Sequence, residues 1–375
     1  MRPTRLEVDL DRLAGNYAVI RRHVGGRPVM PILKANAYGH GLVEVAARLV
    51  REGAPCLGVA FLEEALLLRE RGIAAPILVM GGIMENQIPH FLRNDLTLTA
   101  SSVGKLRQIE EAAAALGVRA RVHLKVDTGM ERIGVHHYNA RGFLEESLRC
   151  SHCEIEGIYS HLASSDADDL GYARLQLARF REVLAFYEER GLRPPVRHIA
   201  NSGAILQLPE SHLDMVRPGI LLYGVSPAAF LAGRLPVRPA LRWTSRVVYF
   251  KVVRAGDPVS YHATWKSDHP VRVVTVPAGY GDGYPRRLSN RGEVLIRGRR
   301  YPVVGQVCMD QLVVNLEQDS AWNADEVVLL GEQGGQAITA EELAERAGTI
   351  PYEVLTAINT RVPRIYRGAA APASD

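Results

Sequence analysis

The chain has 375 residues, of which 47% are hydrophobic and 23% are charged. This composition is typical of a globular protein with room for one large barrel and a second domain, and it excludes a mainly disordered chain. The 45 basic and 41 acidic residues give a net charge of +4 and are mixed along the sequence, so neither nucleic acid nor an anionic membrane is indicated as a partner.

The sequence begins M-R-P-T-R-L-E-V-D-L and has no apolar run of signal-peptide or membrane-spanning length, so we expect a cytoplasmic protein. Four cysteines are too few for a disulfide framework. Cys150 and Cys153 form a C-x-x-C, but no second pair accompanies it. We therefore expect two surface or half-buried thiols there, and no metal site.

In chain order, short apolar, β-rich runs alternate with helical patterns. Strands are predicted at residues 29–33, 57–61, 76–80, 96–99, 122–126, 155–160, 196–200 and 215–220, and helices at 42–52, 62–71, 85–91, 103–116, 140–148, 172–190 and 202–206. Alternating strands and helices form a parallel sheet, and eight such units favour closure into an N-terminal (β/α)8 TIM-like barrel. Because the strand at 96–99 is weakly indicated, an open sheet remains an alternative.

The pattern changes after Gly224, where Pro227, Pro236 and Pro239 lie in a stretch without either period. This predicts a barrel domain at residues 1–235 and a second domain at residues 236–375. Strands are predicted there at 245–254, 271–276, 292–296, 301–307, 312–316 and 325–330, with helices at 340–347 and 352–358. We expect a mainly antiparallel β domain, with a disordered Ala/Pro/Ser tail after Gly368.

Five of the eight predicted barrel strands end in polar side chains, and the chemistry of such barrels gathers at that end. These side chains are Lys34, Lys125 with Asp127, His161, Asn201 with Ser202, and Arg217. A lysine at the end of a buried strand has a lowered pKa, and its free amine can condense with an aldehyde. The plain alternative is a lysine that extends its charged end to solvent.

The last two strand ends also favour an anion. Asn201-Ser202-Gly203 opens a helical pattern, and Pro218-Gly219-Ile220 places a glycine where a backbone amide can approach a phosphate. The sequence has no Walker lysine motif and no G-x-G-x-x-G, so a nucleotide is not the expected ligand. A strand-end lysine with a phosphate site suggests pyridoxal phosphate held as a Schiff base.

The chain resembles the alanine racemases from about residue 5 to Arg367. The motifs that carry the resemblance occur in that family's order and spacing: K-A-N-A-Y-G-H-G (34–41), V-D-T-G-M-E-R-I-G (126–134), S-H-L-A (160–163), H-I-A-N-S (198–202), M-V-R-P-G-I-L-L-Y-G (215–224), V-S-Y-H-A-T (259–264), G-Y-G-D-G-Y-P-R (279–286), V-G-Q-V-C-M-D (304–310) and P-Y-E-V (351–354).

This resemblance implies a pyridoxal-phosphate enzyme that interconverts L-alanine and D-alanine with two bases, Lys34 and Tyr261, and supplies D-alanine for peptidoglycan. Arg217 is expected against the pyridine nitrogen, which it leaves unprotonated because a guanidinium does not give up its proton. Arg132 and the Met309 amide are expected at the substrate carboxylate. The remaining cofactor-binding positions are Tyr38, His161, Asn201, Ser202, Gly219, Ile220 and Tyr352.

The resemblance also implies a homodimer in which the β domain of one subunit covers the barrel mouth of the other. Lys125 matches a position that carries a CO2-derived carbamate in some relatives, the alternative being an unmodified lysine paired with Asp127. Two positions depart from the family pattern. Glu131 replaces a frequent glycine beside Arg132, and Gln306 replaces a frequent arginine near the substrate entry.

Three rival functions remain. A single-domain, non-catalytic pyridoxal-phosphate carrier would lack residues 240–367. A serine or broad-specificity racemase would favour a smaller residue than Tyr352 near the substrate side chain. A pyridoxal-phosphate decarboxylase would want an acidic group, rather than Arg217, on the ring nitrogen.

Overall fold

The computed structural model describes residues 2–368, so the predicted disorder of the Ala/Pro/Ser tail lies outside the described residues. The first part of the chain forms a ring of parallel strands in sequence order. Six segments of the ring are regular strands: Leu57–Val59, Ile77–Val79, Leu98–Ala100, Ala120–Asp127, Cys153–Tyr159 and Val196–His198. A short strand, Val135–His136, pairs with Ala120–Asp127, the strand at the fifth position of the ring.

The two remaining ring positions are extended segments near residues 29–33 and 215–220, which join their neighbours through isolated bridges rather than regular ladders. A parallel bridge joins Val29 to Val216, and the amide of Arg217 donates to the carbonyl of Ala200 at 2.9 Å. The first and last segments are therefore neighbours. The barrel is closed, as predicted, and the open sheet is excluded.

Helices cover the outside of the barrel: Leu42–Arg51, Leu62–Glu70, Ile88–Arg93, Val103–Leu116, Ala140–Ser147, Gly171–Glu188 and Ser202–Gln207. Each lies within a few residues of its predicted position, and the helix Val103–Leu116 agrees at both ends. The hydroxyl of Ser102 accepts the amide of Lys105 at 3.0 Å, and Gly117 ends the same helix with a φ of 65°. Local capping chemistry therefore sets the bounds of this helix.

The N-terminal strand Arg5–Asp9 and the helix Leu10–His23 were not predicted. The strand does not belong to the barrel. It pairs antiparallel with Leu241–Arg246 and parallel with Arg364–Arg367. The Asp9 carboxylate then accepts the amide of Arg12 at 2.9 Å and starts the helix. The chain thus begins in the sheet of the second domain before it enters the barrel.

The second domain is built on a ten-stranded sheet in which most neighbours are antiparallel. Its strands are Arg5–Asp9, Leu241–Arg246, Tyr249–Val253, Val271–Val276, Glu293–Ile296, Arg299–Val304, Leu312–Glu317, Glu326–Gln333, Gln336–Ile338 and Arg364–Arg367. A two-stranded ladder joins Pro258–Val259 to Trp265–Lys266. The helices Ala340–Ala347 and Pro351–Ala357 follow, as predicted.

The prediction of one strand over residues 245–254 is wrong. The structure has two strands, Leu241–Arg246 and Tyr249–Val253, which pair with different partners in the sheet. The residues between them, Val247 and Val248, are apolar and β-branched, so the sequence carries no glycine or proline at the break. The change of strand partner therefore depends on packing between distant segments and not on the local sequence.

The second domain also reaches the barrel mouth of its own chain. Gly39 packs so closely against the carbonyl of Leu355 that a Cβ there would clash, and Arg364 Nε donates to the Gly39 carbonyl at 3.1 Å. The segment that follows Lys34 is therefore held from both domains. None of the helices in residues 2–368 combines the length and the apolar character needed to cross a membrane.

Candidate active site

Lys34 begins an unusual turn at the end of the first barrel segment. Residues 35–38 all have positive φ values, of 52° to 56°, although none is glycine. Each non-glycine residue in this left-handed region costs about 1–2 kcal/mol. Such strain persists only where the surroundings impose it, and it concentrates at functional sites. The side chain of Asn36 accepts the amide of Leu42 at 2.9 Å and ties the turn to the following helix.

Glu64 fixes the same turn from the next helix. Its Oε1 accepts the amide of Ala35 at 2.6 Å, and its Oε2 accepts the amides of Ala60 at 2.8 Å and Phe61 at 3.2 Å. One carboxylate thus joins the ends of the first two barrel segments through three hydrogen bonds to a charged acceptor. Lys34 is consequently presented by a rigid loop.

The Lys34 side chain is exposed in the single chain and opens onto a cavity, from which small molecules can reach it. The loss of bulk water lowers the pKa of its amine, and the positive charge of Arg132 lowers it further. Glu64 acts in the opposite direction. The free amine, which is the form that attacks carbonyl carbon, is therefore more abundant near neutral pH than in a lysine with an ordinary pKa.

The cavity has a volume of about 490 Å³ and lies at the carboxyl ends of the barrel strands. Most of the predicted site residues line it together: Lys34, Tyr38, Lys125, Arg132, His161, Asn201, Ser202, Arg217, Gly219, Ile220 and Tyr352. Tyr261 and Met309 are not among the residues that line it. The size suits a compact organic ligand.

Arg217 is the most deeply buried cation of the cavity, with 2% of its surface exposed. Its Nη1 donates to His198 Nδ1 at 2.8 Å, and its Nη2 donates to the Ser160 carbonyl at 2.8 Å and to His161 Nδ1 at 3.3 Å. Burial lowers its pKa to about 10, so it remains charged near neutrality. Its Nε is buried and has no acceptor in residues 2–368. This N–H is an unused donor beside the cavity.

A chain of neutral histidines supports Arg217 from behind. His198 accepts from Arg217 on Nδ1, so its Nε2 carries the proton that is donated to His123 Nδ1 at 2.9 Å. Burial and the Arg217 charge lower the pKa of His198 well below its ordinary value and that of His123 to about 3. Both rings stay neutral near pH 7, so the guanidinium is oriented without a second cation beside it.

His161 is also held neutral. Burial, followed by the charges of Arg217 and Lys125, moves its pKa well below the ordinary value. Its Nδ1 accepts from Arg217, which leaves the Nε2–H and the ring face for the cavity. The ring can therefore pack against a planar ligand without adding charge.

Lys125 lies with its Nζ 4.6 Å from the centre of the Tyr159 ring. Burial lowers the pKa of this amine well below its ordinary value, and the Arg217 charge lowers it further. The alternative pairing with Asp127 is not what the geometry shows. The Asp127 carboxylate accepts the amides of Gly129 at 2.8 Å, of Met130 at 2.9 Å and of Arg132 at 3.1 Å, and no ion pair joins it to Lys125 within the described part of the chain.

Another part of the cavity wall offers hydroxyl groups and closely packed backbone. The Ser202 hydroxyl accepts the amides of Gly219 at 2.9 Å and Leu221 at 3.3 Å, which leaves its own O–H free to donate. A Cβ on Gly219 would clash with the Tyr38 hydroxyl, so only glycine leaves this approach open. The ring of Tyr352 lies 6.1 Å from that of Tyr38.

Asn201 has a supporting position in this region. Its Oδ1 accepts the amide of Ala204 at 3.2 Å and the hydroxyl of Ser165 at 2.5 Å. Its Nδ2 donates to the Leu162 carbonyl at 3.3 Å. The residue therefore caps the helix that carries Ser202, in addition to lining the cavity.

Tyr261 and Met309 lie on the second domain and face solvent, with 67% and 52% of their surfaces exposed. The Tyr261 segment is nevertheless well defined. Ser260 has a φ of 63°, and its hydroxyl donates to the Gln306 carbonyl at 2.6 Å. Both side chains are therefore left uncovered by their own chain.

The two departures from the family pattern have different local settings. Glu131 has a φ of 54°, a conformation in which glycine would be unstrained, and its carboxylate contacts His136 Nε2 at 2.8 Å. Gln306 supplies the backbone carbonyl that anchors Ser260, and its own amide group lies 3.5 Å from the Thr264 hydroxyl. The side chain of Gln306 adds no charge near Tyr261.

Sequence reasoning missed Glu64, Tyr159 and His198 as site residues. Glu64 lies on a helix, where a glutamate gives no signal of its loop partners. Tyr159 lines the cavity and stacks on His198, with ring centroids 4.8 Å apart and planes inclined by 5°. Tyr159 directly precedes the motif S-H-L-A, and His198 is the first residue of H-I-A-N-S, so the signal for His198 was already within a quoted motif.

Comparisons with known proteins identify the family. The family described as alanine racemase, N-terminal domain, matches residues 8–227, and the alanine racemase C-terminal domain family matches residues 240–366. The alanine racemase of Symbiobacterium thermophilum is 46% identical and covers 99% of both chains. Alanine racemase 2 of Caldanaerobacter subterraneus is 45% identical over 98% of this chain and 95% of its own length.

Solved structures give the same result. The alanine racemase of D-cycloserine-producing Streptomyces lavendulae superposes with a TM-score of 0.94 at 38% identity, and covers 99% of this chain and 98% of its own. That of Bartonella henselae, described with covalently bound pyridoxal phosphate, superposes with a TM-score of 0.90 at 28% identity, over 98% of this chain and all of its own.

Proposed function

The chain belongs to the alanine racemase family of isomerases, and on that premise we propose that Lys34 and Tyr261 are the two bases with which it interconverts L-alanine and D-alanine. Alanine racemase activity follows from the family and from the similarity over the full length. In that family the product D-alanine serves peptidoglycan synthesis. A location in the cytoplasm stays a prediction.

Pyridoxal phosphate fits the cavity by the chemistry of its walls. Arg217 Nε is a buried donor without an acceptor in residues 2–368, and a pyridine nitrogen is a neutral acceptor of matching kind. The Ser202 hydroxyl and the open approach between Tyr38 and Gly219 suit a phosphate. When bound, the cofactor supplies an electron sink for the negative charge left at the α-carbon.

Lys34 would hold the cofactor and then act on the substrate. Its lowered pKa keeps part of the amine free near neutrality, as a general base requires. In the proposal, Nζ of Lys34 exchanges the α-proton on the face that leads to D-alanine. The phenolic oxygen of Tyr261 exchanges it on the opposite face. Each base contributes about two to four orders of magnitude in rate.

Arg217 would limit side reactions. Its pKa of about 10 keeps the guanidinium protonated, and its hydrogen bonds hold it in place. A donor that keeps its proton leaves the ring nitrogen unprotonated, which makes the cofactor a weaker electron sink. Arg217 would therefore favour return of the proton to the α-carbon over side reactions.

Arg132 and the Met309 amide would bind the substrate carboxylate, and Tyr352 would leave room for a methyl group only. Lys125 is proposed to carry a carbamate. Its strongly lowered pKa supplies the free amine that reacts with CO2, and the resulting anion would lie near Arg217 and Arg132, the cations that now disfavour the ammonium form.

Tyr261 and Met309 would enter the cavity of a second subunit. They are exposed on the second domain and do not line the cavity of their own chain, so a single chain has an incomplete set of reactive groups. A homodimer with shared active sites supplies both bases to each cavity. The observation that carries the proposal is the pair formed by Lys34 and Arg217, which line one cavity, with the buried Arg217 Nε left without an acceptor in residues 2–368.

A subunit-mixing experiment tests the two bases and the shared site together. Lys34→Ala and Tyr261→Phe chains are each inactive alone, but a mixed dimer with shared sites has one cavity with both wild-type bases. Random reassociation makes about half of the dimers mixed, so about a quarter of wild-type activity returns. Tyr138→Phe, a substitution at an exposed tyrosine of the barrel domain, is the control. Absence of recovery, despite mixed dimers by mass spectrometry, refutes the shared site.

A further inference from the structure

A second cluster of reactive side chains lies at the other end of the barrel from the cavity. Cys150 and Cys153 flank the loop that enters the strand Cys153–Tyr159, and Glu110 reaches them from the helix Val103–Leu116. The two Sγ atoms and one carboxylate oxygen all lie within 4.8 Å of one another. A strand of this length separates the cluster from the cavity by about 20 Å.

The Glu110 carboxylate is fixed and charged. Its Oε1 accepts the amide of Ser151 at 2.8 Å, the hydroxyl of Ser151 at 3.0 Å and the amide of His152 at 2.9 Å. These hydrogen bonds outweigh the effect of burial and lower its pKa to about 2. The ring atom Nδ1 of His152 also lies 3.1 Å from Glu110 Oε1. The loop therefore orients the carboxylate while both thiols remain beside it.

We propose that Cys150, Cys153 and Glu110 bind a zinc ion, with a water molecule at the fourth position. Two sulfurs and one carboxylate oxygen are ligands that zinc accepts in a tetrahedral site. Thiolate ligands disfavour magnesium and calcium, which prefer oxygen. Zn–S bonds of about 2.3 Å place the sulfurs about 3.8 Å apart, so the two sulfurs have to approach each other by about 1 Å at most.

Neighbouring groups hold the carboxylate of the cluster in place, as the neighbours of metal ligands commonly do. Ligating carboxylates are themselves hydrogen-bonded, and Ser151 and His152 already perform this for Glu110. Burial raises the pKa of Cys150 to about 11 and that of Cys153 still further, with Glu110 adding to the effect on both thiols. Zinc therefore displaces two thiol protons, and its affinity rises with pH.

From the sequence we expect two surface or half-buried thiols and no metal site, because no second cysteine pair accompanies them; the structure has Cys150 half-buried but Cys153 buried. The structure brings the third ligand to the pair, and this changes the interpretation of the C-x-x-C.

The bound ion would stabilise the folded protein. It links the helix Val103–Leu116 to the loop that precedes the barrel strand Cys153–Tyr159. Residues at this end of a (β/α)8 barrel contribute to stability, whereas catalysis takes place at the opposite end. Zinc would raise the temperature of unfolding and leave the racemisation rate of folded protein unchanged. This inference is independent of the two proposed bases.

The test uses the full-length protein, stripped with a chelator under reducing conditions and dialysed against zinc chloride alone. We expect one zinc per chain, a higher unfolding temperature, and sulfur-to-metal charge-transfer bands when cobalt(II) replaces zinc. Cys153→Ser should lose the ion, and Cys150→Ser provides the same test at a less buried thiol. Cys56→Ser removes a cysteine outside the cluster and should keep the ion.

Glu110→Gln retains both thiols and should weaken zinc at least about 10-fold, the lower bound for losing an outer-shell group. The proposal is overturned if the wild-type protein holds no more zinc than Cys150→Ser, or if cobalt gives no charge-transfer band. It is equally overturned if Cys150 and Cys153 form a disulfide in the presence of zinc and thiol reductant. Loss of racemisation on chelation of folded protein would refute the structural role.

Discussion

Replacing Glu64 with glutamine should show how much of the Lys34 geometry depends on one carboxylate. Glu64 accepts three backbone amides, those of Ala35, Ala60 and Phe61, and so joins the first two barrel segments. A glutamine has almost the same shape but only one acceptor oxygen. Its NH2 group would face a backbone N–H on one side, which is a repulsive arrangement.

The magnitude follows from those three bonds. If the amide oxygen keeps Ala60 and Phe61, the bond to Ala35 is lost, and a hydrogen bond to a charged acceptor is worth about 1.5–3 kcal/mol. The lost bond holds the strained turn at residues 35–38, where left-handed conformations cost about 1–2 kcal/mol per residue. We expect a destabilisation of about 2 kcal/mol, which corresponds to about 4–8 °C in the temperature of unfolding.

The substitution should also shift the pH dependence of cofactor uptake. Glu64 raises the pKa of Lys34, so its removal lowers that pKa further. The free amine then persists to lower pH, and apoprotein should take up pyridoxal phosphate with an acidic limb shifted downward. The assay combines thermal unfolding with the pH dependence of cofactor uptake. Glu63→Gln, an exposed neighbour on the same helix, is the control. Equal behaviour of the two variants would refute the anchoring role of Glu64.

Four further outcomes are expected. Lys34→Ala should abolish the visible absorbance of bound cofactor and its fixation by borohydride; a retained band would exclude Lys34 as the attachment point. Tyr261→Phe should slow solvent-deuterium exchange into L-alanine by about 10²–10⁴-fold and affect D-alanine less, and equal residual exchange from both isomers would contradict the two-face assignment. Arg217→Lys should cost about 3 kcal/mol or more in unfolding free energy, since at least two charge-assisted hydrogen bonds are lost, and urea unfolding measures this. The pKa of Glu110 is lowered from 4.5 to about 2, so its contribution to stability is complete above pH 4.5 and is lost as the pH falls toward 2; in chelator, the difference in unfolding temperature between wild type and Glu110→Gln should shrink on acidification, and a constant difference would refute it.

The barrel and the site could be predicted in part because their signals are local. The helix Val103–Leu116 is bounded by its own capping serine and its terminal glycine, and both bounds agree. The strand-end positions of Lys34, Lys125, His161, Ser202 and Arg217 follow from counting strands, and the cavity brings all of them together. The roles of Tyr261 and Met309 came from family resemblance alone, because nothing in their own segments indicates catalysis.

Other features depended on pairs of residues far apart in the chain. The strand Arg5–Asp9 has no sequence signal for its partners, which lie at Leu241–Arg246 and Arg364–Arg367. The break after Arg246 follows from a change of strand partner rather than from a turn residue. Propensity and periodicity describe neighbours along the chain, and pairing across the sheet is decided by the packing of the whole domain.

What the sequence by itself determined is the order of strands and helices, the lysine at the first strand end and the family to which these motifs belong. Only the tertiary structure decided which groups surround that lysine. It placed Glu64 beneath the left-handed turn, left Arg217 Nε without an acceptor in residues 2–368, and brought Glu110 to Cys150 and Cys153. The physical reason is that pKa values, unused donors and ligand sets depend on distance in space, and distances between remote segments exist only after the chain has packed.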